Sequence, residues 1–270
     1  MSFWDHLEEF RWTLIRIFVA VIVFAIVGFI LIPHIFDSII LAPRTSDFVT
    51  YRFLDKASQF IPFMPDFSAD SFDVNILNIN MTTQFMTYIS TSLAFGVLCT
   101  IPYILYELWR FVSPALYANE ARGVKRAFGF GGFMFIIGCL VGYFVVFPLI
   151  FRFLITFELS SSIENMISLD SYMNNFYTLI LVMGLVFEIP LVFWLLSSLG
   201  LVYRPFFRKY RRHAVVGSLV LAAFITPSGD PFSLFVVTLP LYALWEISAF
   251  VVKKEPPAEE EDEDLPAVVE

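Results

Sequence analysis

Long apolar runs alternate with short polar gaps along almost the whole chain. Four of these runs extend from about Leu14 to Phe36, Met81 to Leu108, Ala127 to Phe151 and Tyr172 to Leu199. At about 1.5 Å per residue each is long enough to cross ~30 Å of hydrocarbon as a helix. The remaining run, 213–252, is too long for one span and short for two. It is divided at Thr226-Pro227-Ser228-Gly229-Asp230-Pro231, where two prolines and a glycine make a tight turn. The pattern therefore predicts an all-α integral membrane protein of six transmembrane helices. The spans are 14–36, 81–108, 127–151, 172–199, 214–226 and 232–252, within one membrane domain covering residues 1–254. Pro102 is expected to bend the second span, and the short fifth span to thin the bilayer or tilt its neighbours.

The polar gaps have their own order. Residues 2–13 read as an amphipathic helix leading into the first span, with Phe3, Leu7, Phe10 and Leu14 on one face and Asp5, Glu9 and Arg16 on the other. Ser2 and Asp5 resemble a capping pair. Residues 37–80 form a mixed segment with Pro43, Pro62, Pro65 and six aspartates, whose phenylalanines point to a cap on the membrane face. The stretch Phe111–Arg126 is a basic gap between two apolar runs. Ser113 and Pro114 are expected to start a short helix carrying Glu120, and Gly123 to end it. A second basic loop, 200–212, holds Arg204, Arg208, Lys209, Arg211 and Arg212.

Composition and charge fix the class and the orientation. The chain has 270 residues, 58% hydrophobic and 16% charged, whereas soluble domains are about 25% charged. The formal net charge of -8 lies in the tail, because residues 255–270 hold eight acids and no base. Its Pro- and Glu-rich composition predicts a disordered cytoplasmic tail. Of 17 Lys and Arg residues, 13 fall on the side that holds both termini. The positive-inside rule then puts both termini in the cytoplasm.

Few residues offer chemistry. Glu188 sits mid-span in Phe187-Glu188-Ile189-Pro190. A carboxylate at bilayer depth costs about 3 kcal/mol even on the lenient insertion scale. Pro190 removes a backbone donor and frees the carbonyl of Val186, which is expected to put a kink beside the acid. Glu188 is either a functional group or a protonated acid that joins two helices by a hydrogen bond. Glu246, nearer the cytoplasmic end of the last span, reads as structural. Cys99 and Cys139 lie within apolar runs, where thiols serve mostly as packing groups. His6, His34 and His213 are scattered, and no nucleophile motif, metal-ligand spacing, phosphate loop or internal repeat is visible. No cofactor, nucleic-acid partner or enzymatic activity is expected.

Six motifs, taken in order, resemble the TatC family, the polytopic subunit of the twin-arginine protein translocase. His6-Leu7-Glu8-Glu9-Phe10-Arg11 is similar to the family's H-L-x-E-L-R. Phe111-Val112-Ser113-Pro114-Ala115-Leu116-Tyr117 with Glu120 is similar to F-x-x-P-x-L-Y-x-x-E. Tyr143 to Pro148, Phe187 to Pro190, Thr226-Pro227 with Asp230-Pro231-Phe232-Ser233, and Tyr242 to Glu246 follow in family order. The resemblance spans about residues 3–250. It departs from the pattern at Phe10, Ala121, Leu234, Ser228-Gly229 and Thr82-Thr83-Gln84, none of which is Glu9 or Glu120.

The resemblance implies a receptor and core subunit, in a bacterial cytoplasmic (inner) membrane, that binds twin-arginine signal peptides at its cytoplasmic face. It implies transport of folded proteins with single-span partner subunits of the TatA/TatB type, driven by the proton-motive force. It further implies a concave, glove-like bundle that forms a homo-oligomer within the complex. Signal-peptide contact falls on Glu9 and Glu120, with Arg11 and Phe111 in the same motifs. Glu188 and Pro190 form the intramembrane polar site, and Thr226, Asp230 and Pro43 lie at partner-docking or outer-turn positions. Two guanidiniums fit two carboxylates well, and the neighbouring bases repel other cationic segments. The alternative from a different class is a proton-coupled small-molecule transporter that uses Glu188.

Overall fold

A computed structural model of the chain describes residues 3–58, 74–112, 118–157, 160 and 165–254. Helix α1 (Phe3–Ile35) unites the amphipathic leading segment with the first span and ends in a π-turn, Phe36–Ile40, and a 3-10 turn, Ala42–Arg44. The segment that follows contains helix α2 (Val49–Ser58) and strand β1 (Ile76–Leu77). Helix α3 (Thr83–Val112) continues through Pro102. Helix α4 (Ala118–Val141), a π-turn at Gly142–Val146 and helix α5 (Phe147–Thr156) make the next crossing. Strand β2 (Ile167–Ser168) leads into helix α6 (Leu169–Val186), followed by α7 (Ile189–Ser198), α8 (Arg204–Lys209), α9 (Arg211–Ile225) and α10 (Pro231–Val251).

Five helical segments among the described residues are long and apolar enough to cross a membrane. Helix α9 has 15 residues and rises about 22 Å, short of ~30 Å. The fold is thus all-α and multi-pass, with a short penultimate helix.

One local expectation changes. No separate helix ends at Gly123, because α4 begins at Ala118 and runs straight through it. Positive φ among the described residues is confined to Gly200 and Gly229. A glycine within a helix costs only about 1 kcal/mol relative to alanine, so the long apolar run keeps its hydrogen-bond ladder. Ser2, Ser113 and Pro114, read as caps, and the acidic tail lie outside the described residues. The fourth crossing, Leu169–Ser198, carries the expected kink beside Glu188. Phe187 and Glu188 form a turn between α6 and α7, with Pro190 near the start of α7.

Proline bends are completed from other elements. Pro33 has no N–H for the carbonyl of Phe29, four residues earlier, and the Tyr88 hydroxyl of α3 donates to that oxygen instead. Pro148 likewise frees the carbonyl of Phe144, which accepts from the Thr50 hydroxyl of α2. Around the π-turn after α1, Tyr143 donates to Ile39 at 2.7 Å and Tyr172 to Ile40 at 2.6 Å. Unpaired carbonyls are costly in hydrocarbon, so these hydroxyls hold the bends.

Helix α4 lies along α6 on small residues. A Cβ on Gly138 would stand 2.6 Å from the Met183 carbonyl oxygen, and one on Gly184 would stand 2.6 Å from the Phe135 ring. Their absence lets the backbones approach closely. Helix α1 runs beside α3 in the same manner, through Gly28 and Gly96. The best-buried core lies where α5 meets α6: Val146, Phe147, Tyr172, Met173, Leu179 and Met183. Over it, Phe48, just before α2, packs on Tyr143 and Phe144, and Tyr51 of α2 donates to the Pro148 carbonyl. A parallel pairing of Ile76 with Ile167 and Leu77 with Ser168 ties the two long connections at this capped end.

Candidate functional site

The end of the bundle opposite the α2 cap gathers the start of α1, the end of α3 and the start of α4. Phe111, near the end of α3, stacks on His6 with ring centroids 4.3 Å apart and meets Phe10 at 5.5 Å. Glu9 lies between these contacts along α1 and is half-buried. Arg11 is exposed, pairs with Glu8 at 3.4 Å and lies over the Trp12 ring at 5.7 Å. Glu120 belongs to the first turn of α4. The structure therefore brings the backbones of the Glu9 and Glu120 segments to one end, where Phe111 packs α3 on α1.

The residue missing from the sequence reading is Glu107. Its side chain is 1% exposed, and Arg16 holds it: Nη2 and Nε lie 2.8 and 2.9 Å from Oε2. The Tyr103 hydroxyl donates to Oε1 at 2.8 Å, and Arg16 also donates to the Thr13 hydroxyl at 3.0 Å. This pair joins α1 to α3 two helical turns beyond Glu9. The signal was present as a lone acid and a lone base inside the ends of two apolar runs, but each passes for an interfacial charge when read separately.

Glu188 sits at the turn between α6 and α7. Both of its carboxyl oxygens are buried, with no hydrogen-bond partner among the described residues. It lies against Gly131 of α4, where a Cβ would stand 2.8 Å from Oε2. Pro190 is buried beside it. Glu246 is held by Arg211 of α9 at 2.6 Å and by the Tyr242 hydroxyl at 2.9 Å, so it locks α10 to α9.

At the other end, Asp230 caps α10. Its Oδ1 accepts from the Ser233 N–H at 2.8 Å, and Oδ2 from the Ser228 hydroxyl at 2.6 Å. Partial burial pushes the Asp230 carboxyl up, but these hydrogen bonds outweigh it and hold the group below the usual aspartate range. Thr226 is buried, with its hydroxyl turned back to the Ala222 carbonyl at 2.9 Å. The exposed face of α9 is carried by Val216, Val220 and Phe224, the last 84% exposed. Pro43 is buried, and the Tyr51 hydroxyl lies 3.0 Å from its carbonyl oxygen. Among the described residues no three His, Cys, Asp or Glu side chains gather as a metal site.

Fold and site together define a multi-pass α-helical membrane protein in which two ion pairs, Arg16–Glu107 and Arg211–Glu246, join helices near the bundle ends. The family model for the Sec-independent protein translocase protein TatC matches residues 5–240. A TatC protein of Blattabacterium sp. subsp. Periplaneta americana is 36% identical over 252 residues, covering 93% of this chain and 94% of that protein. A TatC protein of Desulforapulum autotrophicum is 33% identical over 263 residues, covering 96% and 88%. A crystal structure of the twin-arginine translocase receptor TatC superimposes with a TM-score of 0.69 at 28% identity, covering 91% of this chain and 97% of that one. A second, in DDM, gives 0.71 at 27%, covering 92% and 99%. The chain belongs to the TatC family.

Proposed function

We propose that this chain is the receptor and core subunit of a twin-arginine translocase. In this reading both termini face the cytoplasm of a bacterium, and the end holding α1, Phe111 and Glu120 receives the signal peptide. The observation that carries it is the convergence of three helix ends there. Glu9 stands on a helix braced by the Phe111–His6 stack and the Arg16–Glu107 pair, while Glu120 stands on the adjoining first turn of α4. Two carboxylates on rigid helices match two guanidiniums in charge and in planar geometry. Arg11, already paired with Glu8, helps to exclude unpaired cations.

Partner helices meet two further features. The unpartnered Glu188 carboxyl offers a hydrogen bond to a polar group of a single-span partner. The apolar stripe Val216, Val220 and Phe224 on the short α9 offers that partner a docking face.

Site-specific photocrosslinking tests the receptor role. A photoreactive residue is placed beside Glu120, and separately beside Glu9, and a precursor is presented with two arginines or with two lysines in its signal. Strong crosslinks to the arginine form that vanish with the lysine form support the assignment. Equal crosslinking to both forms, or none to either, refutes it and leaves proton-coupled uptake through Glu188 as the next reading to test.

A further inference from the structure

The capped end of the bundle contains a cavity that the signal-peptide reading does not use. It encloses about 520 Å³ between the end of α1, the turn after it and the start of α3. Its wall is apolar at Ile32, Phe36 and Leu41, whereas its rim carries one acid, Asp37, and one base, Arg44. Among the described residues neither rim side chain has a hydrogen bond or an ion pair, to the other or to any third group. Asn78 and Gln84 add two uncharged polar groups.

A second cavity of about 290 Å³ adjoins the first at Ile32, which lines both. It is bounded by α1, α3, α4 and α6, and its lining is almost wholly apolar, including Ala94, Leu98, Leu140 and Ile180. Along α3 the two cavities together reach from Gln84 to Leu98, about 21 Å at 1.5 Å per residue. That is close to one leaflet of a bilayer ~40 Å thick with its headgroups.

We propose that these two cavities form one phospholipid site in the leaflet at the capped end. A planar guanidinium is suited to a phosphate, and Arg44 takes it. Asp37 takes a primary ammonium, and the apolar inner cavity takes one acyl chain. An acid and a base, unpaired with each other at the mouth of an apolar slot, complement a zwitterionic phosphate–amine headgroup better than an anionic one. The chemistry is that of phosphatidylethanolamine. A bound lipid would also stand between α3 and the turn after α1, which fixes the wall on which the α2 cap rests. The site lies at the opposite end of the bundle from Glu9 and Phe111, so its occupancy is separable from signal-peptide binding.

Native mass spectrometry of the full-length protein tests this. The protein is released from mild detergent after incubation with phosphatidylethanolamine, phosphatidylglycerol or diacylglycerol of the same chains. One phosphatidylethanolamine per chain is expected to remain bound, with phosphatidylglycerol retained severalfold less and diacylglycerol lost. Arg44→Gln and Asp37→Asn are each expected to lower retention of phosphatidylethanolamine about tenfold. Asp37 is exposed, so its variant keeps the test valid if Arg44→Gln misfolds. Arg52→Gln, at the same end but paired with Asp47 at 3.0 Å, is expected to leave retention unchanged. Equal retention in all variants, or equal retention of all three lipids, would overturn the site and mark the lipid as annular. Crosslinks from Leu98 to a single-span protein in native membranes, with no lipid retained, would overturn it in favour of a helix.

Discussion

Arg16 and Glu107 are joined across α1 and α3 by two nitrogens that address one carboxylate oxygen, at 2.8 and 2.9 Å. The other oxygen is occupied by Tyr103. The charge is therefore satisfied on both sides although the carboxyl is buried. Removing one partner from such a pair leaves the other uncompensated, which costs about 3 kcal/mol, whereas replacing both by apolar residues is close to neutral. Arg16→Met, which leaves the buried Glu107 carboxylate without its guanidinium, is expected to lower stability by about that amount. The paired change Arg16→Met with Glu107→Met is expected to regain most of it. Thermal unfolding in detergent measures both, and equal losses in the single and paired variants would mean that the pair is not the cause.

Phe111 contributes through its rings. Aromatic pairs add about 1 kcal/mol beyond area burial, so Phe111→Ala frees the start of α1 from α3 and lets Glu9 wander. About fivefold weaker twin-arginine peptide binding is expected, with little change in stability, and Phe111→Tyr is expected to restore it. Fluorescence titration with a labelled signal peptide reads this directly. Unchanged affinity in the alanine variant would separate Phe111 from the site.

The capping of α10 is pH-dependent. Asp230 has a carboxyl held low in the folded protein, against about 3.9 in an unfolded chain. Its stabilisation is fully present above that unfolded value and fades as pH falls through the lower folded one. Asp230→Ala is expected to cost about 1 kcal/mol at neutral pH. The gap between wild type and variant is expected to close in strong acid. A gap constant down to pH 2 would contradict the cap.

Glycines divide by their surroundings. Gly138 and Gly184 face side chains and backbone of the opposite helix, so Gly138→Leu or Gly184→Leu is expected to separate α4 from α6 and abolish a monodisperse folded protein. Gly129 and Gly217 have open space where a Cβ would go. Alanine at either is expected to be neutral or to stabilise by up to about 1 kcal/mol. Size-exclusion profiles and melting curves distinguish the two groups. Equal damage from both would show that close approach is not what the glycines provide.

The proline and hydroxyl pairings permit a cycle. Tyr88→Phe leaves the Phe29 carbonyl without a donor in apolar surroundings, at a cost of about 1–3 kcal/mol. Pro33→Ala restores the backbone N–H that would serve that carbonyl. Tyr88→Phe is thus expected to be nearly silent in the Pro33→Ala background. Additive effects of the two changes would break the assignment.

Much of this was legible in hydropathy alone. Runs that are apolar for twenty residues have only one structured fate in lipid, so the long helices and the brief α9 follow from length. The division at Thr226–Pro231 follows from its prolines, and Asp230 sits at the cap position that such a turn prepares. The positions of Glu9, Phe111 and Glu120 came from motif likeness, and their convergence needed the fold. Glu107 escaped because a buried charge is recognised by its partner, and Arg16 lies 91 residues away in sequence. The continuity of α4 through Gly123 escaped because a lone glycine permits a helix end without requiring one. The kink at Glu188 was legible because Pro190 removes a ladder donor, and the structure places a two-residue turn there, at Phe187 and Glu188.

The Phe29 carbonyl finds its donor 59 residues further along the chain. The bend at Pro33 is therefore complete only when α1 and α3 have paired. A carbonyl that its own helix leaves without a donor is served by a helix that comes later in the chain, so in lipid the two spans are satisfied as a hairpin rather than singly.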